Sequence, residues 1–485
     1  MKANFRATAL LGSSSFVSII AAAATAKFYA IRIDADGIGL SALMQSVIGL
    51  ATMFSTVGIP VGLTREVASA AQRNDADEQG SALAAAQHIV LIGNVIVFGG
   101  VVVFWPHIAR VVLGNAHVHW WEVLALAAAG TLSTWSAIQT AYLNGHQKLA
   151  ALARFAIISS LMSAAAGVAL VWLLGVSGIA PGIFATALIG AVLARTSIVR
   201  QHLPRQRVAP LVSAARRRLV RFGLPLVLSN LLGSGLQYVL PILVLRMLDR
   251  SSVGIYRAAS AISVTYVGIL ITTMSQEYYP RISAAPKAML KELLDDQHRL
   301  VLIVGVPIIC VGAVLSPLVI PVLYKTGRFT AAVPVLQWQL IGDLLRLSSW
   351  TMSYIILARS GSFAYLVMET ISAIIFFAMS WLGMHFLGIT GMGMGFFASY
   401  ALYWCVAAVV LRRTLGISLS GRNVGTIACV VLALVVLQLL PQSVPAVLRA
   451  GLRGLFSLVV TAFCSRLVWQ EFRRRTPVST GGASG

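Results

Sequence analysis

A lysine lies inside an apolar segment near the start of this sequence. Lys27 belongs to the run 8–30, which contains no acidic residue to neutralise it. A run of about 20 apolar residues spans a bilayer as a helix. A cation at that depth costs free energy, and such residues usually serve a function. An ammonium group attracts phosphate as a compact charge. We therefore expect Lys27 to face a cavity for an anionic cargo, the alternative being that it reaches back to the membrane surface.

Three arginines are further candidates for contact with an anionic cargo. Arg257 lies one turn into a predicted helix, where its guanidinium could hold phosphate oxygens through two hydrogen bonds. The alternative for Arg257 is an ion pair with Asp249 or Asp36. Arg65 and Arg281 end two predicted helices on the cytoplasmic side. These two arginines would either flank the entry of the substrate or anchor their helices at the membrane surface.

Two acidic residues could couple transport to a cation or control a gate. Asp343 and Arg346 are one helical turn apart and can form an ion pair, with Gln339 one turn before them on the same face. This pair would either fix helix packing or release its carboxylate during the transport cycle. Glu369 lies within another apolar helix and is the second candidate for coupling.

Two amides mark a possible hinge or a polar stripe in the seventh predicted helix. Asn230 and Gln237 are two turns apart, and Gly233 and Gly235 lie between them. Glycine weakens a helix locally, so we expect the helix to bend here. Alternatively, the amides join neighbouring helices through hydrogen bonds.

The elements that must position these residues are membrane helices. The chain has 485 residues, of which 58% are hydrophobic and 11% charged, and its mean hydropathy is +0.85. This composition excludes a soluble globular protein and indicates an all-α polytopic membrane protein. Apolar runs of spanning length predict about fourteen transmembrane helices. The four cysteines lie singly in apolar runs, so we expect them to pack and not to bind a metal. We also expect no catalytic residues.

The net charge of +22 follows the membrane topology. Arginine clusters occur in alternate loops, at 200–221, 412–422 and 473–475, which predicts that both termini are cytoplasmic. Such loops attract anionic phospholipids. They lack interleaved aromatic residues, so we do not expect a nucleic-acid partner.

The two halves of the chain resemble each other. The sequence 32–40 before the second helix is similar to 246–256 before the eighth, and both helices end in a basic corner. We therefore predict a pseudo-symmetric pair of six-helix lobes, 1–200 and 219–413, joined by a basic cytoplasmic linker at 201–218. The remainder, 414–485, would form two extra transmembrane helices and a basic tail. A parallel repeat of this kind is typical of transporters.

Several segments resemble a known family. The segments 328–332 (RFTAA) and 338–346 (WQLIGDLLR) are similar to the tenth-helix signature of the Wzx-type flippases, which belong to the MOP flippase superfamily. The corners at 36–40 and 253–256, the segment 26–28 and Glu369 are similar too. The resemblance covers roughly residues 5–413, although this chain adds two helices and has Arg257 where relatives commonly carry an amide.

This resemblance implies a cavity between two lobes, alternating access, and export of undecaprenyl-pyrophosphate-linked oligosaccharides for O-antigen or exopolysaccharide synthesis. It also implies the bacterial inner membrane as location, and a polysaccharide polymerase and chain-length proteins as partners. No P-loop is present, so we expect no cofactor and a drive from H+, Na+ or the membrane potential.

Two other functions compete with this interpretation. A membrane glycosyltransferase could hold a metal with Asp34 and Asp36, but no long outer loop or soluble domain is present to form a sugar site. A cation-coupled multidrug exporter of the same superfamily would prefer acidic or apolar residues in its cavity, whereas the charges within the predicted helices are mostly basic.

Overall fold

Every regular element in the described part of the chain is helical. The computed structural model describes residues 2–56, 58–114, 118–204, 208–233, 235–273, 278–324, 327–440, 445, 448, 451–462 and 466, without the side chains at 2–13, 222, 224–233, 265–266, 269–273, 280 and 360–363. The helices are α1 (Lys2–Thr56), α2 (Ile59–Gln72), α3 (Ala76–Val103), α4 (Trp105–Val112), α5 (Trp120–Gly145), α6 (Leu149–Leu174), α7 (Ile179–Arg200), α8 (Ala209–Gly233), α9 (Leu236–Met247), α10 (Arg250–Thr273), α11 (Tyr279–Ala284), α12 (Leu290–Tyr324), α13 (Ala332–Leu415), α14 (Gly421–Gln438) and α15 (Gly451–Ala462).

Six helical ranges within the described residues are long and apolar enough to cross a membrane. Hydrocarbon offers no hydrogen-bond partners, so a backbone that spans it must form its own bonds, as a helix does. The expected all-α polytopic membrane fold is confirmed. The ranges are Ser14–Thr56, Ala76–Val103, Leu149–Arg200, Lys287–Tyr324, Ala364–Leu415 and Gly421–Gln438.

The two longest helices each contain a break. Asp34 interrupts α1 with a φ of 56° and separates two limbs. Gly388 interrupts α13 with a φ of +58°, a conformation that glycine adopts without strain. Gly383 and Gly391 flank this break so closely that a Cβ on either one would clash with the carbonyl oxygen of the other. The chain of α13 therefore reverses at Gly388 and packs against itself.

One compact unit comprises Met1–Arg257 together with Pro321–Phe329. Within it, α1, α3 and α5 meet at three buried polar side chains. The Ser55 hydroxyl donates to Asn94 Oδ1 at 2.5 Å, and Asn94 Nδ2 donates to Thr134 Oγ1 at 2.9 Å. Such bonds join helices in a membrane because lipid offers no competing partner. Leu219 of α8 packs into an apolar core with Tyr142 of α5.

The second compact unit comprises Ala258–Ile320 and Thr330–Gly485. Its core is built mainly by the limbs of α13 and by α12, and includes Tyr278, Met352 and Tyr403. His298 of α12 is fully buried, and its ring nitrogens lie 3.2 Å from hydroxyls of Thr351 and Ser348. The predicted division at the linker 201–218 stays a prediction.

At each of the two similar corners, an aspartate accepts a hydrogen bond from a backbone N–H at the start of a helix. At the first corner, Asp34 Oδ1 accepts a hydrogen bond from the Ala35 backbone N–H at 2.8 Å. At the second corner, Asp249 Oδ1 accepts one from the Ser252 backbone N–H at 2.6 Å. The Asp249 bond spans three residues, as in an N-terminal helix cap, whereas Asp34 bonds to the residue directly after it.

These corners also contact each other, and the contact is reciprocal. A Cβ on Gly39 would clash with the carbonyl oxygen of Arg250, and a Cβ on Gly254 would clash with the carbonyl oxygen of Ala35. Each carbonyl belongs to the residue four positions before the other glycine. Reciprocity of this kind is the mark of a two-fold relation. The second limb of α1 and the start of α10 are therefore structural equivalents, as the internal repeat predicts.

Candidate functional site

The first limb of α1 carries Lys27 on an exposed face. Lys27 lies seven residues before the break at Asp34, which corresponds to about 10 Å of helix. Among the described residues, the ammonium group makes no hydrogen bond and no ion pair. Arg32, near the end of the same limb, donates to the carbonyl oxygen of Trp172 at 3.3 Å. Lys27 is therefore available to a ligand from within an apolar helix, whereas Arg32 is used in packing.

Arg257 is also exposed, on α10, seven residues after the corner at Arg250. Within the described part of the chain it forms no ion pair. Of the two alternative partners, Asp249 caps α10 and Asp36 is exposed, and neither forms an ion pair with Arg257 among the described residues. Lys27 and Arg257 belong to the same compact unit, so this unit contributes two cations that can bind an anion.

Arg65 and Arg281 are both exposed, in α2 and α11 respectively. The neighbour of Arg65, Glu66, accepts a hydrogen bond of 3.0 Å from Arg218 of α8. Arg218 also donates to Glu78 at 2.9 Å. The basic linker is thus attached to α2 and α3 by one guanidinium that bridges two carboxylates.

A polar cluster lies within the second unit, around Asp343 of α13. Asp343 is fully buried, and its Oδ2 accepts a hydrogen bond of 2.6 Å from the hydroxyl of Ser263. Gln339, one turn earlier, donates from Nε2 to the Ser260 hydroxyl at 3.0 Å. Both serines belong to α10, so the polar face of α13 packs against a polar face of α10. The sequence had not singled out these serines, because no local pattern indicates which helix packs there.

Arg346 continues this polar face toward two aromatic rings. Its Nη1 lies 3.7 Å from Asp343 Oδ1, and its side chain is 20% exposed. Its guanidinium carbon lies 5.5 Å from the centre of the Trp350 ring and 5.6 Å from that of the Tyr400 ring. A guanidinium at this distance is attracted by the electron-rich faces of the rings. The spacing from Arg346 to Trp350 could have indicated this contact from the sequence, whereas Tyr400 is brought in by the reversal of α13.

Glu369 lies in α13 before the break at Gly388 and joins the same cluster. Its carboxylate hydrogen bonds with Tyr365 and is close enough to Arg346 to interact electrostatically. Asp343 and Glu369 are therefore both close enough to Arg346 to interact with its guanidinium. The cluster gathers the acidic residues proposed for coupling, although they are far apart in sequence.

The predicted hinge coincides with an interruption between helices. α8 ends at Gly233, and α9 begins at Leu236. Gln237 is exposed, and the side chain of Asn230 lies outside the described residues. Their role as a hinge or polar stripe stays a prediction.

Arg453 joins the last two helices of the described chain. Arg453 of α15 donates from Nε and Nη2 to the carbonyl oxygen of Leu437, at 3.3 and 3.1 Å. Leu437 lies in the last turn of α14, where carbonyl groups lack helical partners and favour a cation. Arg453 therefore stabilises the end of α14.

The acidic pair Asp34 and Asp36 is not arranged as a metal site. Asp34 is engaged by Ala35 and Arg328, and Asp36 points to an exposed surface. In the described ranges, no three histidine, cysteine, aspartate or glutamate side chains are grouped so as to hold a metal ion.

Solved structures with a similar fold are membrane transport proteins. A structure described as the lipid II flippase MurJ in an inward closed conformation matches 96% of this chain and 99% of its own, at 13% identity and a TM-score of 0.71. A structure of an inward-facing multidrug resistance MATE family transporter of the MOP superfamily matches 81% of this chain and 94% of its own length, at 15% identity and a TM-score of 0.65. A MOP superfamily transporter from Pyrococcus furiosus matches 84% of this chain and 95% of its own length, at 14% identity and a TM-score of 0.54.

These identities are too low to show more than the fold. No curated protein matches the chain. The model of the family described as "Polysaccharide biosynthesis protein" matches residues 5–286, which is more than half of the sequence. The chain therefore belongs to the polysaccharide biosynthesis protein family, on the fold of the MOP superfamily transporters.

Proposed function

We propose that this protein is a flippase, not an enzyme, and that it moves undecaprenyl-pyrophosphate-linked oligosaccharide repeat units across the bacterial inner membrane. The units would pass from the cytoplasmic to the periplasmic leaflet and serve the synthesis of a surface polysaccharide such as O-antigen or exopolysaccharide. Membership of the polysaccharide biosynthesis family supports the cargo class. The fold shared with a lipid II flippase supports the mode of transport.

The observation that carries the proposal is the exposed Lys27 within an apolar helix. In hydrocarbon a cation without a counter-charge is costly, so the position is explained if an anion visits it. The pyrophosphate of the cargo is such an anion. Arg257 of the same unit is a second contact, and its planar guanidinium suits two phosphate oxygens. Arg65 and Arg281, at the cytoplasmic helix ends, would attract the headgroup before it enters.

Transport would proceed by alternating access. The reciprocal contact of Gly39 and Gly254 brings two helix starts together at the corners predicted to be periplasmic. A state with this contact would be closed to the periplasm, and release of the headgroup would require its separation.

The energy source is proposed to act on the cargo or on the polar cluster. An anion that leaves an inside-negative compartment gains about 2.3 kcal/mol per charge per 100 mV. The membrane potential therefore favours export of a pyrophosphate. Asp343 and Glu369 would add coupling to H+ or Na+, or gate the cycle, because their carboxylates share Arg346 and could exchange it for a cation.

The second candidate is a cation-coupled multidrug exporter of the same superfamily. The fold match to a multidrug resistance transporter and the buried Asp343 favour it. The exposed Lys27 and Arg257 oppose it, since they would repel a cationic drug.

The flippase proposal also includes a location and partners. The protein would lie in the inner membrane with both termini in the cytoplasm and would contact anionic phospholipids. It would associate with a polysaccharide polymerase and chain-length proteins.

Transport by the reconstituted protein tests the proposal. Purified protein in liposomes would be supplied with a fluorescent undecaprenyl-pyrophosphate oligosaccharide, and the accessibility of the headgroup would be followed over time. We expect wild type to move the lipid, Lys27→Ala to be at least tenfold slower, and Lys27→Arg to retain part of the rate. Lys291→Ala, at an exposed lysine of α12, is the matched control.

Two results would contradict the proposal. The first is export of cationic dyes without movement of any lipid-linked oligosaccharide, which would favour the drug exporter. The second is an equal loss of rate in Lys27→Ala and Lys291→Ala, which would remove the cavity role of Lys27.

A further inference from the structure

We propose that the second unit contains a binding site for the sugar rings of the cargo, formed by Arg346, Trp350, Tyr354 and Tyr400. We call these four residues the aromatic platform. The inference rests on the proposed function, since it assumes a glycan headgroup. It adds a second recognition site, for the sugars, to the cationic residues that would bind the pyrophosphate.

The platform is continuous along one face of α13. Arg346, Trp350 and Tyr354 follow one another at intervals of four residues, which places them on successive turns. The rings of Trp350 and Tyr354 are 6.1 Å apart and perpendicular. Tyr400 comes from the last limb of α13, so that the guanidinium of Arg346 lies near both the Trp350 and Tyr400 rings.

The platform is not sealed inside the unit. Arg346, Trp350, Tyr354 and Tyr400 are each partly exposed, whereas Gln339 and Asp343 earlier on the same face are buried. The exposed part of this face of α13 therefore coincides with the part that carries the aromatic rings. A ligand could reach the edges and faces of these rings without unfolding the helices that carry them.

Two polar groups on the platform have no hydrogen-bond partner in the part of the chain that the structure describes. Within the described residues, neither the indole N–H of Trp350 nor the hydroxyl of Tyr400 forms a hydrogen bond. By contrast, the nearby Trp404 donates from its indole to Ser348 Oγ at 2.6 Å, and Tyr403 shares a hydrogen bond of 2.9 Å with Ser353. Tryptophan and tyrosine usually satisfy these groups when they are buried. The two unbonded groups thus point to a polar ligand.

The ligand chemistry that fits is a sugar. A pyranose ring has an apolar C–H face that packs on an aromatic ring and hydroxyls at its edge that need both donors and acceptors. On the platform, the aromatic rings would pack against the C–H face of the sugar. Arg346, Trp350 and Tyr400 would donate hydrogen bonds to its hydroxyls. The Glu369 carboxylate, close to Arg346, would accept them. A cationic drug would use aromatic faces as well, but Arg346 already occupies that role and would repel it.

Binding measurements can separate sugar recognition from pyrophosphate recognition. The protein in nanodiscs would be titrated with glycan-free undecaprenyl pyrophosphate and with a panel of undecaprenyl-pyrophosphate oligosaccharides. We expect wild type to bind at least one oligosaccharide more tightly than the glycan-free lipid. Trp350→Ala and Tyr400→Ala should each lower the affinity for the oligosaccharide about tenfold. The affinity for the glycan-free lipid should be unchanged.

Conservative variants keep the test valid if the alanine variants fold poorly. Trp350→Phe and Tyr400→Phe retain a ring but remove the unbonded N–H or hydroxyl. We expect each to lower the affinity for the oligosaccharide, relative to the glycan-free lipid, about threefold. Trp381→Ala is the matched control, because Trp381 is exposed and stacks on His385 elsewhere in α13. It should behave as wild type.

The outcomes are distinguishable. Equal weakening of both lipids by the platform variants, or no preference of wild type for any oligosaccharide, would overturn the sugar site while the flippase proposal stands. Failure of wild type to bind either lipid would overturn the proposed function and the sugar site with it.

Discussion

Ser263 donates a hydrogen bond of 2.6 Å to the carboxylate of Asp343, which is fully buried between α10 and α13. The carboxylate therefore has a neutral donor on one side and Arg346, at 3.7 Å, on the other. A buried carboxylate loses its hydration, and a nearby cation and a hydrogen-bond donor offset that cost. This arrangement makes Asp343 the strongest candidate for coupling in the second unit.

Replacing Asp343 should uncouple transport from an ion gradient. Asp343→Asn keeps the shape of the side chain and its bond to Ser263 but removes the charge. We expect the stimulation of transport by an imposed H+ or Na+ gradient to fall by about fivefold or more, measured as initial rates in proteoliposomes. Asp36→Asn, at an exposed corner, should leave the stimulation intact. An undiminished response in Asp343→Asn would assign this residue to packing alone.

Valine at either corner glycine should destabilise the protein. Gly39→Val and Gly254→Val each place a side chain against a backbone carbonyl that cannot move aside, and overpacking of this kind costs about 1–3 kcal/mol. The melting temperature in nanodiscs should fall for both variants. Gly99→Val is the control, because no atom lies near a Cβ at Gly99.

The double variant tests the reciprocity of this contact. Both valines separate the same pair of helix starts, so the effect of the double variant should be smaller than the sum of the single effects. Full additivity would mean that the two glycines stabilise independent contacts.

Loss of Arg218 should release the basic segment 201–218. Arg218→Ala removes the bridge to Glu66 and Glu78, and we expect a loss of about 0.5–1 kcal/mol together with faster proteolysis near residues 201–208. Arg217→Ala is the matched control, since within the described residues Arg217 forms no ion pair. High salt should reduce the difference between the two variants, because it screens exposed pairs. Equal proteolysis of both variants at low salt would contradict this role.

His146 should make stability depend on pH. It follows α5 in the loop to α6, and its Nε2 lies 2.9 Å from Gln79 Oε1. Burial lowers the pKa of His146 below its usual value of 6.5, an effect to which the charge of Lys148 adds and which a hydrogen bond to the Tyr142 carbonyl opposes.

The sign of this dependence follows from the lowered pKa. The unfolded chain takes up a proton near pH 6.5, whereas the folded protein resists it. The contribution of His146 to stability is therefore complete above pH 6.5 and is lost as the pH falls through the folded pKa. We expect the melting temperature to drop more between neutral pH and about pH 5 in wild type than in His146→Gln. An equal drop in both proteins would exclude His146 as the cause.

Much of the fold was predictable because membrane helices are determined locally. Length and hydropathy alone require a helix wherever an apolar run must span hydrocarbon, so the all-α fold followed from composition. The corners around Gly39 and Gly254 were also visible, since an aspartate and a glycine recur there in the sequence. The break at Gly388 was predictable as well, since it separates two apolar runs of spanning length, 361–387 and 390–412.

The residues of the candidate site were only partly predictable. Asp343 and Arg346 share a helical face, and the spacing of their positions predicts their proximity. The partners Ser263 and Tyr400 come from other limbs and helices, and nothing in their local sequence indicates them. The same holds for Glu66, whose ion pair with Arg218 joins distant parts of the chain.

The sequence by itself determined that this chain is a helical membrane protein with basic residues in its apolar helices, because burial in lipid and the cost of charge there depend only on local composition. Only the tertiary structure decided which of these charges are used inside the protein. Arg328 pairs with Asp34 and Arg453 caps α14, whereas Lys27 and Arg257 make no ion pair among the described residues. The physical reason is that such partners are set by the packing of distant helices, which local sequence does not encode.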